Sequence, residues 1–203
     1  MRIVAGRHRG RAIAAPEGDA IRPTSDRARQ SLFNLLEHGA PAKAGLVLRD
    51  AVVLDVFCGT GALGLEALSR GAAKAILIDS DAAAITLARR NAMALGEIAR
   101  VSLRQLDATR PGKAPAAANL AFLDPPYGKD LAAAALAALA REGWLAPGAI
   151  VTVETATRED LAPPAGFALL DERRYGKAKI AILVYFTSPL EGEAGVGGDR
   201  GAR

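Results

Sequence analysis

Short apolar runs recur between residues 51 and 186 of this 203-residue chain, and most of the segments between them repeat apolar positions at helical spacing. A strand is expected in each run, and helices are expected over 62–70, 81–95 and 130–141, closed by Gly71, Gly96 and Gly143. Strands alternating with helices are typical of an α/β fold with a doubly wound sheet. The runs cover residues 51–57, 74–79, 100–106, 119–123, 149–154, 167–170 and 180–186.

The last two runs are separated by a polar segment, residues 171–179, that has no helical period. Two strands joined without a helix pair most simply as neighbours in opposite directions. We therefore expect a seven-stranded sheet whose final two strands form an antiparallel hairpin at one edge.

Two elements are predicted ahead of the sheet. Residues 2–6 and 10–15 can form short strands around a glycine turn, which gives a β-hairpin. Apolar residues at helical spacing predict a helix over 25–38, with Thr24 or Ser25 as its N-cap. The sequence thus indicates an N-terminal hairpin and helix attached to an α/β domain.

The chain is long enough for one domain with small attachments. We expect residues 1–40 to form the N-terminal attachment, residues 41–187 the main domain, and the glycine-rich residues 188–203 a disordered tail. No run approaches the roughly 20 apolar residues that span a bilayer, and the start of the chain lacks the apolar stretch of a signal peptide. A single cysteine excludes an intramolecular disulfide, so we expect a cytoplasmic protein, and the lack of an apolar run of membrane-spanning length predicts no membrane partner. We expect a monomer, because no apolar stripe beyond the core pattern stands out in the sequence.

The formal net charge of +4 comes entirely from residues 1–30, which hold seven arginines and three acidic residues. Arginine suits a surface that meets phosphates, because its guanidinium pairs with them bidentately. A solvated basic arm would have the same composition, so RNA binding is one of two interpretations. The candidate RNA-binding residues are Arg2, Arg7, Arg9, Arg11 and Arg22.

The segment Gly59-Thr60-Gly61-Ala62-Leu63-Gly64 follows the first apolar run, and Asp79 comes twenty residues after Gly59. This spacing also fits a dinucleotide-binding loop, so a hydride-transfer enzyme must be considered. Asp55 separates the two interpretations: a carboxylate at the loop would repel a pyrophosphate and attract the ammonium and sulfonium of S-adenosylmethionine. The sequence favours the methyl donor.

Further acidic and polar residues follow the next strands. Asp79 and Ser80 can meet ribose hydroxyls, and Asp107, after the third strand, can accept a hydrogen bond from an adenine amine. We interpret Asp81 as a helix N-cap and Cys58 as a packed residue. No metal site is predicted, since His8 and His38 fit no metal-binding pattern.

The segment Asp124-Pro125-Pro126-Tyr127 follows the fourth strand. Two prolines fix the backbone and leave the Asp124 carboxylate and the Pro125 carbonyl as acceptors. An exocyclic NH₂ group of a nucleobase has two donors to match them, and Tyr127 offers a flat face for an unstacked base. Asp124, Pro125 and Tyr127 are therefore the candidate catalytic residues for methyl transfer to an amine.

Six segments carry a family resemblance that covers most of the chain. They are Met1-Arg2-Ile3-Val4-Ala5-Gly6, Arg9-Gly10-Arg11, Arg22-Pro23-Thr24-Ser25-Asp26-Arg27, Ser31-Leu32-Phe33-Asn34, Asp55-Val56-Phe57-Cys58-Gly59-Thr60-Gly61 and Leu123-Asp124-Pro125-Pro126-Tyr127. Together they resemble the RsmD family of bacterial 16S ribosomal RNA guanine-N2 methyltransferases.

The resemblance implies a class I, Rossmann-like methyltransferase sheet with S-adenosylmethionine as donor. It implies a guanine N2 of 16S RNA as the target, within a small ribosomal subunit or an assembly intermediate. The Asp124 to Tyr127 segment adds the expectation of base flipping and direct in-line methyl transfer. The resemblance assigns Asp55, Gly59 and Gly61 to the cofactor loop, Asp79 to the ribose, Asp107 to the adenine, Asp124 to Tyr127 to catalysis, and Arg22 to Thr24 to a segment that closes over cofactor and target.

The chain differs from the family pattern in two places, and two other functions remain possible. Related sequences often carry Glu where this chain has Asp79, and the tail after Pro189 has no family counterpart. The Asp-Pro-Pro-Tyr arrangement equally serves adenine N6 methylation of DNA or RNA, although the chain lacks a sizeable target-recognition domain. A non-catalytic ribosome-assembly module that binds RNA is the alternative from another functional class.

Overall fold

A computed structural model describes residues 1–15, 25–126, 131–159, 161–176 and 178–187. Its strands are β1 (Val52–Val56), β2 (Lys74–Asp79), β3 (Val101–Gln105), β4 (Ala118–Leu123), β5 (Leu145–Ala156), β6 (Phe167–Tyr175) and β7 (Ala178–Tyr185). Its helices are α1 (Asp26–His38), α2 (Ala40–Lys43), α3 (Ala62–Ser69), α4 (Ala82–Leu95) and α5 (Leu131–Arg141), with 3-10 turns at Gly6–His8 and Ile98–Arg100.

The strands form one sheet in the order β3-β2-β1-β4-β5-β7-β6. The first five strands are parallel, and β7 runs antiparallel to both β5 and β6. The predicted α/β sheet with an antiparallel hairpin at its edge is confirmed.

Both faces of the sheet are covered, which explains why the central strands are apolar throughout. Along β1, Val53 belongs to the buried cluster that includes α1, α3 and α4, while Leu54 belongs to the cluster that includes α5. The expectation of a polar connection over residues 171–179 is wrong, because β6 continues to Tyr175 and β7 begins at Ala178. As the edge strand, β6 tolerates exposed polar side chains while its backbone still pairs with β7.

The N-terminal hairpin is tighter than expected. Its antiparallel pairing is a single bridge between Arg2 and Ala12, supported by hydrogen bonds from the Ile3 amide to the Arg11 carbonyl and from the Ile13 amide to the Met1 carbonyl. The predicted strands over 2–6 and 10–15 are therefore too long. The turn between them presses against α3: a Cβ on Gly6 would lie 2.0 Å from the Ser69 carbonyl oxygen.

The described residues of the N-terminal segment, 1–15 and 25–40, share their core with the sheet. Ile3, Ile13 and Leu36 are buried in the same cluster as Val53. The rings of Phe33 in α1 and Phe122 in β4 lie 5.6 Å apart. Residue 40 thus marks no boundary between two cores. The predicted tail over 188–203 lies outside the described residues.

Candidate active site

The order of the strands changes direction at β1, which has β2 on one side and β4 on the other. In doubly wound sheets, ligands bind in the crevice outside the carboxyl ends of the strands at this point. Four carboxylates belong to neighbouring strand ends here: Asp55 of β1, Asp79 of β2, Asp124 after β4, and Glu154 of β5. The crevice therefore has an acidic edge.

Asp55 is the most deeply buried of these acids, with 3% of its surface exposed. Its Oδ2 accepts a hydrogen bond of 2.9 Å from the Gly64 amide in the first turn of α3. The pKa of Asp55 is raised to about 8, mainly by burial; the Gly64 bond lowers it, and the nearby carboxylates of Asp124 and Asp79 contribute to the rise. The sequence did not indicate that Asp55 also anchors the start of α3.

The loop between β1 and α3 depends on left-handed backbone conformations at Phe57, Gly59 and Gly61, with φ values of 61°, 50° and 74°. The Gly59 amide donates to Asp79 Oδ2 at 2.9 Å, which ties this loop to the end of β2. Gly64 is required by space, since a Cβ there would lie 2.4 Å from Leu77 Cδ2. The fingerprint glycines thus serve both turn geometry and close packing.

The residues of the crevice fit a cationic nucleoside such as S-adenosylmethionine. A Cβ built on Gly59 would meet no atom within 4 Å, so a ligand can approach the loop backbone closely. Asp79 Oδ1 accepts from the Asp81 amide at 3.0 Å, and a carboxylate has lone pairs left for ribose hydroxyls. A positively charged ligand would also favour the ionised forms of Asp55 and Asp124, whose pKa values are raised in its absence.

Asp124 is half-buried directly after β4, and its amide donates to the Val56 carbonyl at 3.4 Å. Its pKa is raised to about 7, mainly by burial and in part by the Glu154 carboxylate. Pro125 is buried and Pro126 is exposed. Tyr127 lies outside the described residues, so its position relative to the crevice stays a prediction.

The other predicted cofactor residues lie at the same edge. Ser80 is exposed next to Asp79, and Asp107 is exposed after β3. Asp107 Oδ1 accepts from the Thr109 hydroxyl at 2.7 Å and from its amide at 2.8 Å, and these bonds hold the Asp107 pKa below its usual value. Asp81 accepts from the Ala83 amide at 2.8 Å, which confirms it as the N-cap of α4.

Comparison with known proteins gives consistent results. The family profile described as Conserved hypothetical protein 95 matches residues 1–184. Ribosomal RNA small subunit methyltransferase D of Escherichia coli K12 is 38% identical over 194 residues, covering 91% of this chain and 89% of that protein. The protein of the same name from Haemophilus influenzae is 33% identical over 180 residues, covering 87% and 89%.

The chain belongs to the RsmD family. It is thus a methyltransferase that uses S-adenosylmethionine, as the sequence predicted. Among solved structures, yhhF from Escherichia coli superposes with a TM-score of 0.76 at 36% identity, covering 92% of this chain and 98% of that one. An RNA methyltransferase from Salinibacter ruber in complex with S-adenosyl-L-homocysteine shares the fold, with a TM-score of 0.58 at 17% identity over 86% and 100% of the chains.

The single cysteine of this RsmD family member is a packed residue, as predicted. Cys58 is buried directly after the first strand. Burial raises the pKa of its thiol, and the carboxylates of Asp55 and Asp79 raise it further. Cys58 is therefore a neutral thiol rather than a nucleophile.

Two of the predicted RNA-binding arginines also hold the N-terminal segment in place. Arg7, 49% exposed, forms an ion pair of 2.6 Å with Glu97. The exposed Arg11 donates to the carbonyl oxygens of Ala94 and Leu95 at the end of α4. The side chains of Arg2 and Arg9 are exposed. Arg22 and Thr24 lie outside the described residues.

Sequence reasoning missed the buried polar residues that attach the N-terminal segment. Glu66 of α3 is fully buried and accepts from the amides of Val4 at 2.8 Å and Ala5 at 3.0 Å. Glu66 also pairs with Arg70 at 2.8 Å. The one available signal was that α3 is apolar almost all round, which is typical of a buried helix.

His8 and Glu97 form a second attachment of this kind. The buried Glu97 lies just after α4, and its Oε1 lies 2.5 Å from His8 Nε2. Glu97 Oε2 is paired with Arg100 at 2.5 Å. His8 was assigned no chemistry from the sequence, and the structure gives it this hydrogen-bonding role.

Proposed function

We propose that this protein transfers a methyl group from S-adenosylmethionine to the exocyclic N2 amine of a guanine in 16S ribosomal RNA. The substrate is the small ribosomal subunit or an intermediate of its assembly. The observation that carries the proposal is the position of Asp124 and Pro125, at the strand end adjoining the glycine loop of β1. An acceptor pair for an amine thus lies beside the site expected for the methyl donor.

Residues at three neighbouring strand ends are proposed to hold the donor. Asp55 and the loop glycines, Gly59 and Gly61, would face its charged amino-acid portion. Asp79, with Ser80 beside it, would accept from the ribose hydroxyls, and Asp107 from the adenine amine. Each of these acids lies at the carboxyl edge of the sheet, and each keeps lone pairs beyond the hydrogen bonds described above.

Asp124 has the properties required of the acceptor and base. When bound, S-adenosylmethionine supplies a methyl group on a positively charged sulfur. The Asp124 carboxylate and the Pro125 carbonyl would each accept one hydrogen of the amine, which aims the nitrogen lone pair at the methyl carbon. As the N–C bond forms and the C–S bond breaks, one amine proton passes to Asp124. A pKa of about 7 suits this transfer at neutral pH.

The target base would have to leave its stack, because its amine has to reach the crevice at the carboxyl ends of the strands. Tyr127 is proposed to support the flipped base by stacking. The name that two relatives share, ribosomal RNA small subunit methyltransferase D, supports small-subunit RNA as the substrate.

Exposed arginines on α4 and on the N-terminal segment bonded to its end support RNA binding as well. Arg89 and Arg90 are exposed, and α4 contains no acidic residue. The Arg11 guanidinium bonds to the carbonyl of Ala94, four residues after Arg90 and on the same helix face. We define Arg9, Arg11, Arg89 and Arg90 as the basic surface and propose that it contacts RNA phosphates.

The decisive experiment supplies methyl-labelled S-adenosylmethionine and small subunits from cells that lack this protein, and then identifies the labelled nucleoside. N2-methylguanosine is the expected product, and Asp124→Asn is expected to yield none. Labelled N6-methyladenosine would support the adenine alternative. Binding to subunits without any transfer would support the assembly module, and binding of NADH in preference to S-adenosylmethionine would support hydride transfer.

A further inference from the structure

Asn91 of α4 joins two segments that are distant from it in the sequence. Its side chain is 1% exposed. Its Oδ1 accepts from the Ala14 amide at 2.8 Å, and its Nδ2 donates to the carbonyl oxygens of Ala14 and Thr60, each at 3.0 Å. One buried amide thus holds both backbone polar groups of Ala14 and one carbonyl of the glycine loop.

The contact with Thr60 controls a peptide inside the loop. The Thr60 carbonyl and the Gly61 amide belong to the same planar peptide unit. Asn91 holds the carbonyl, and the Gly61 amide donates to the Cys58 carbonyl at 2.7 Å. Gly61 is also the residue before α3, in the left-handed conformation. The orientation of this peptide therefore depends on Asn91.

The contact with Ala14 reaches the N-terminal segment that carries part of the basic surface. Ala14 lies three residues after Arg11, which is itself bonded to the end of α4. Asn91 is thus bonded on one side to the loop expected to hold the methyl donor, and on the other to a segment expected to meet RNA.

We propose that Asn91 is a positioning residue that couples the glycine loop to the N-terminal segment, so that binding of the donor and binding of RNA strengthen each other. The proposal rests on donor binding at the loop and, for its second half, on RNA as the substrate. It does not depend on which base is methylated. A ligand that fixes the Thr60 peptide would fix the Asn91 amide and, through it, Ala14.

Two variants separate coupling from simple packing. Asn91→Asp keeps the size of the side chain and an acceptor for Ala14, but it turns an acceptor toward two carbonyl oxygens in place of the donor. Asn119→Asp is the matched control. Asn119 Oδ1 accepts from the Val52 amide at 3.0 Å at the amino ends of β4 and β1, away from the crevice. A carboxylate can keep that bond.

The first measurement is amide hydrogen exchange at Ala14 with and without S-adenosyl-L-homocysteine, which requires no RNA and no turnover. At about 100 times its Kd, the ligand should slow exchange at Ala14 by at least about tenfold in the wild type and in Asn119→Asp. In Asn91→Asp saturated with the same ligand, the exchange rate at Ala14 should stay the same as without it. Absence of ligand-dependent protection at Ala14 in the wild type would overturn the proposal, whatever the variants do.

The second measurement is the Kd of S-adenosyl-L-homocysteine with and without small subunits. Subunits should tighten the wild-type Kd by about fivefold or more and leave that of Asn91→Asp unchanged. Asn91→Ala, which adds no charge, replaces Asn91→Asp if the latter fails to fold. Full coupling in a folded Asn91 variant would refute the proposal. Lack of guanine methylation alone would count against the proposed function and leave the exchange result intact.

Discussion

Asp55 in β1 and Gly64 in α3 are joined by a hydrogen bond of 2.9 Å beneath the glycine loop. The acceptor is a buried carboxylate whose pKa of about 8 lies well above its ordinary value of 3.8. An anchor of the loop is therefore also a group that titrates near neutral pH.

Asp55→Asn should remove a pH dependence of stability. Between about pH 4 and pH 8, wild-type Asp55 holds a proton when folded and releases it when unfolded, so the free energy of unfolding falls as pH rises, by up to roughly 1 kcal/mol per pH unit. Asparagine keeps an acceptor for Gly64 and does not titrate. Urea unfolding from pH 5 to pH 8 should show the variant gaining stability relative to the wild type. Parallel curves would contradict this, and Asp50→Asn, at an exposed site, is the control.

Asp124→Asn should lower kcat by at least about 100-fold, because an amide does not accept the amine proton. The Kd of S-adenosyl-L-homocysteine should change less than threefold, roughly within experimental variation of about 0.6 kcal/mol. In the wild type, kcat/KM should rise with pH through about 7, where the Asp124 carboxyl becomes ionised. Turnover near the wild-type level would remove Asp124 from its proposed role.

Glu154→Gln should shift that pH profile. Burial is the larger cause of the raised Asp124 pKa, and repulsion from Glu154 is the other. Without the Glu154 charge, the Asp124 pKa should fall, so the acidic limb of kcat/KM should move to lower pH. A limb that stays in place would show that Asp124 does not control the profile. Glu159→Gln, three residues after the end of β5, serves as the control.

Glu66→Gln should destabilise the fold by about 3 kcal/mol, because it removes a buried charge that faces Arg70 and Arg29. Glu37→Gln is the matched control. Glu37 also pairs with Arg70, at 2.7 Å, but it is partly exposed, so its loss should cost less than about 1 kcal/mol. Urea unfolding of both variants measures the difference. Equal losses would show that burial of Glu66 is not what makes it important.

Replacing Arg9, Arg89 and Arg90 by Ala should weaken binding to small subunits without changing the Kd of S-adenosyl-L-homocysteine. The slope of log K against log salt concentration should fall by roughly 0.7 to 0.9 for each phosphate that the variant no longer neutralises. Lys43, Lys113 and Arg141, exposed cations outside the basic surface, form a control triple variant. An unchanged slope would show that the basic surface is only solvated.

Local sequence patterns predicted the sheet well because the central strands are buried on both faces and therefore apolar throughout. Local sequence also predicted the helix ends at Gly39 and Gly96 and the N-cap at Asp81, since capping depends on adjacent residues. The length of β6 could not be predicted from the sequence. Its polar half is held by pairing with β7, which no local property of the segment indicates.

Some residues of the candidate site could likewise be predicted from the sequence, and others could not. The acids at strand ends were predictable, because parallel strands bring consecutive carboxyl ends to one edge. The roles of Glu66 and Asn91 were not, because their partners in the N-terminal segment are separated from them by 61 to 77 residues in the sequence. A glutamate or asparagine within a helix usually indicates exposure, and only the folded chain shows that these two are buried.

The core that residues 1–15 and 25–40 share with the sheet limits how this enzyme can be re-engineered. If the segment were transplanted onto another methyltransferase, Ile3, Ile13 and Phe33 would lose the neighbours against which they are buried here. The recipient would have to accommodate the same side chains beneath its own sheet. The exposed side chains of the segment can be changed one at a time without disturbing this core.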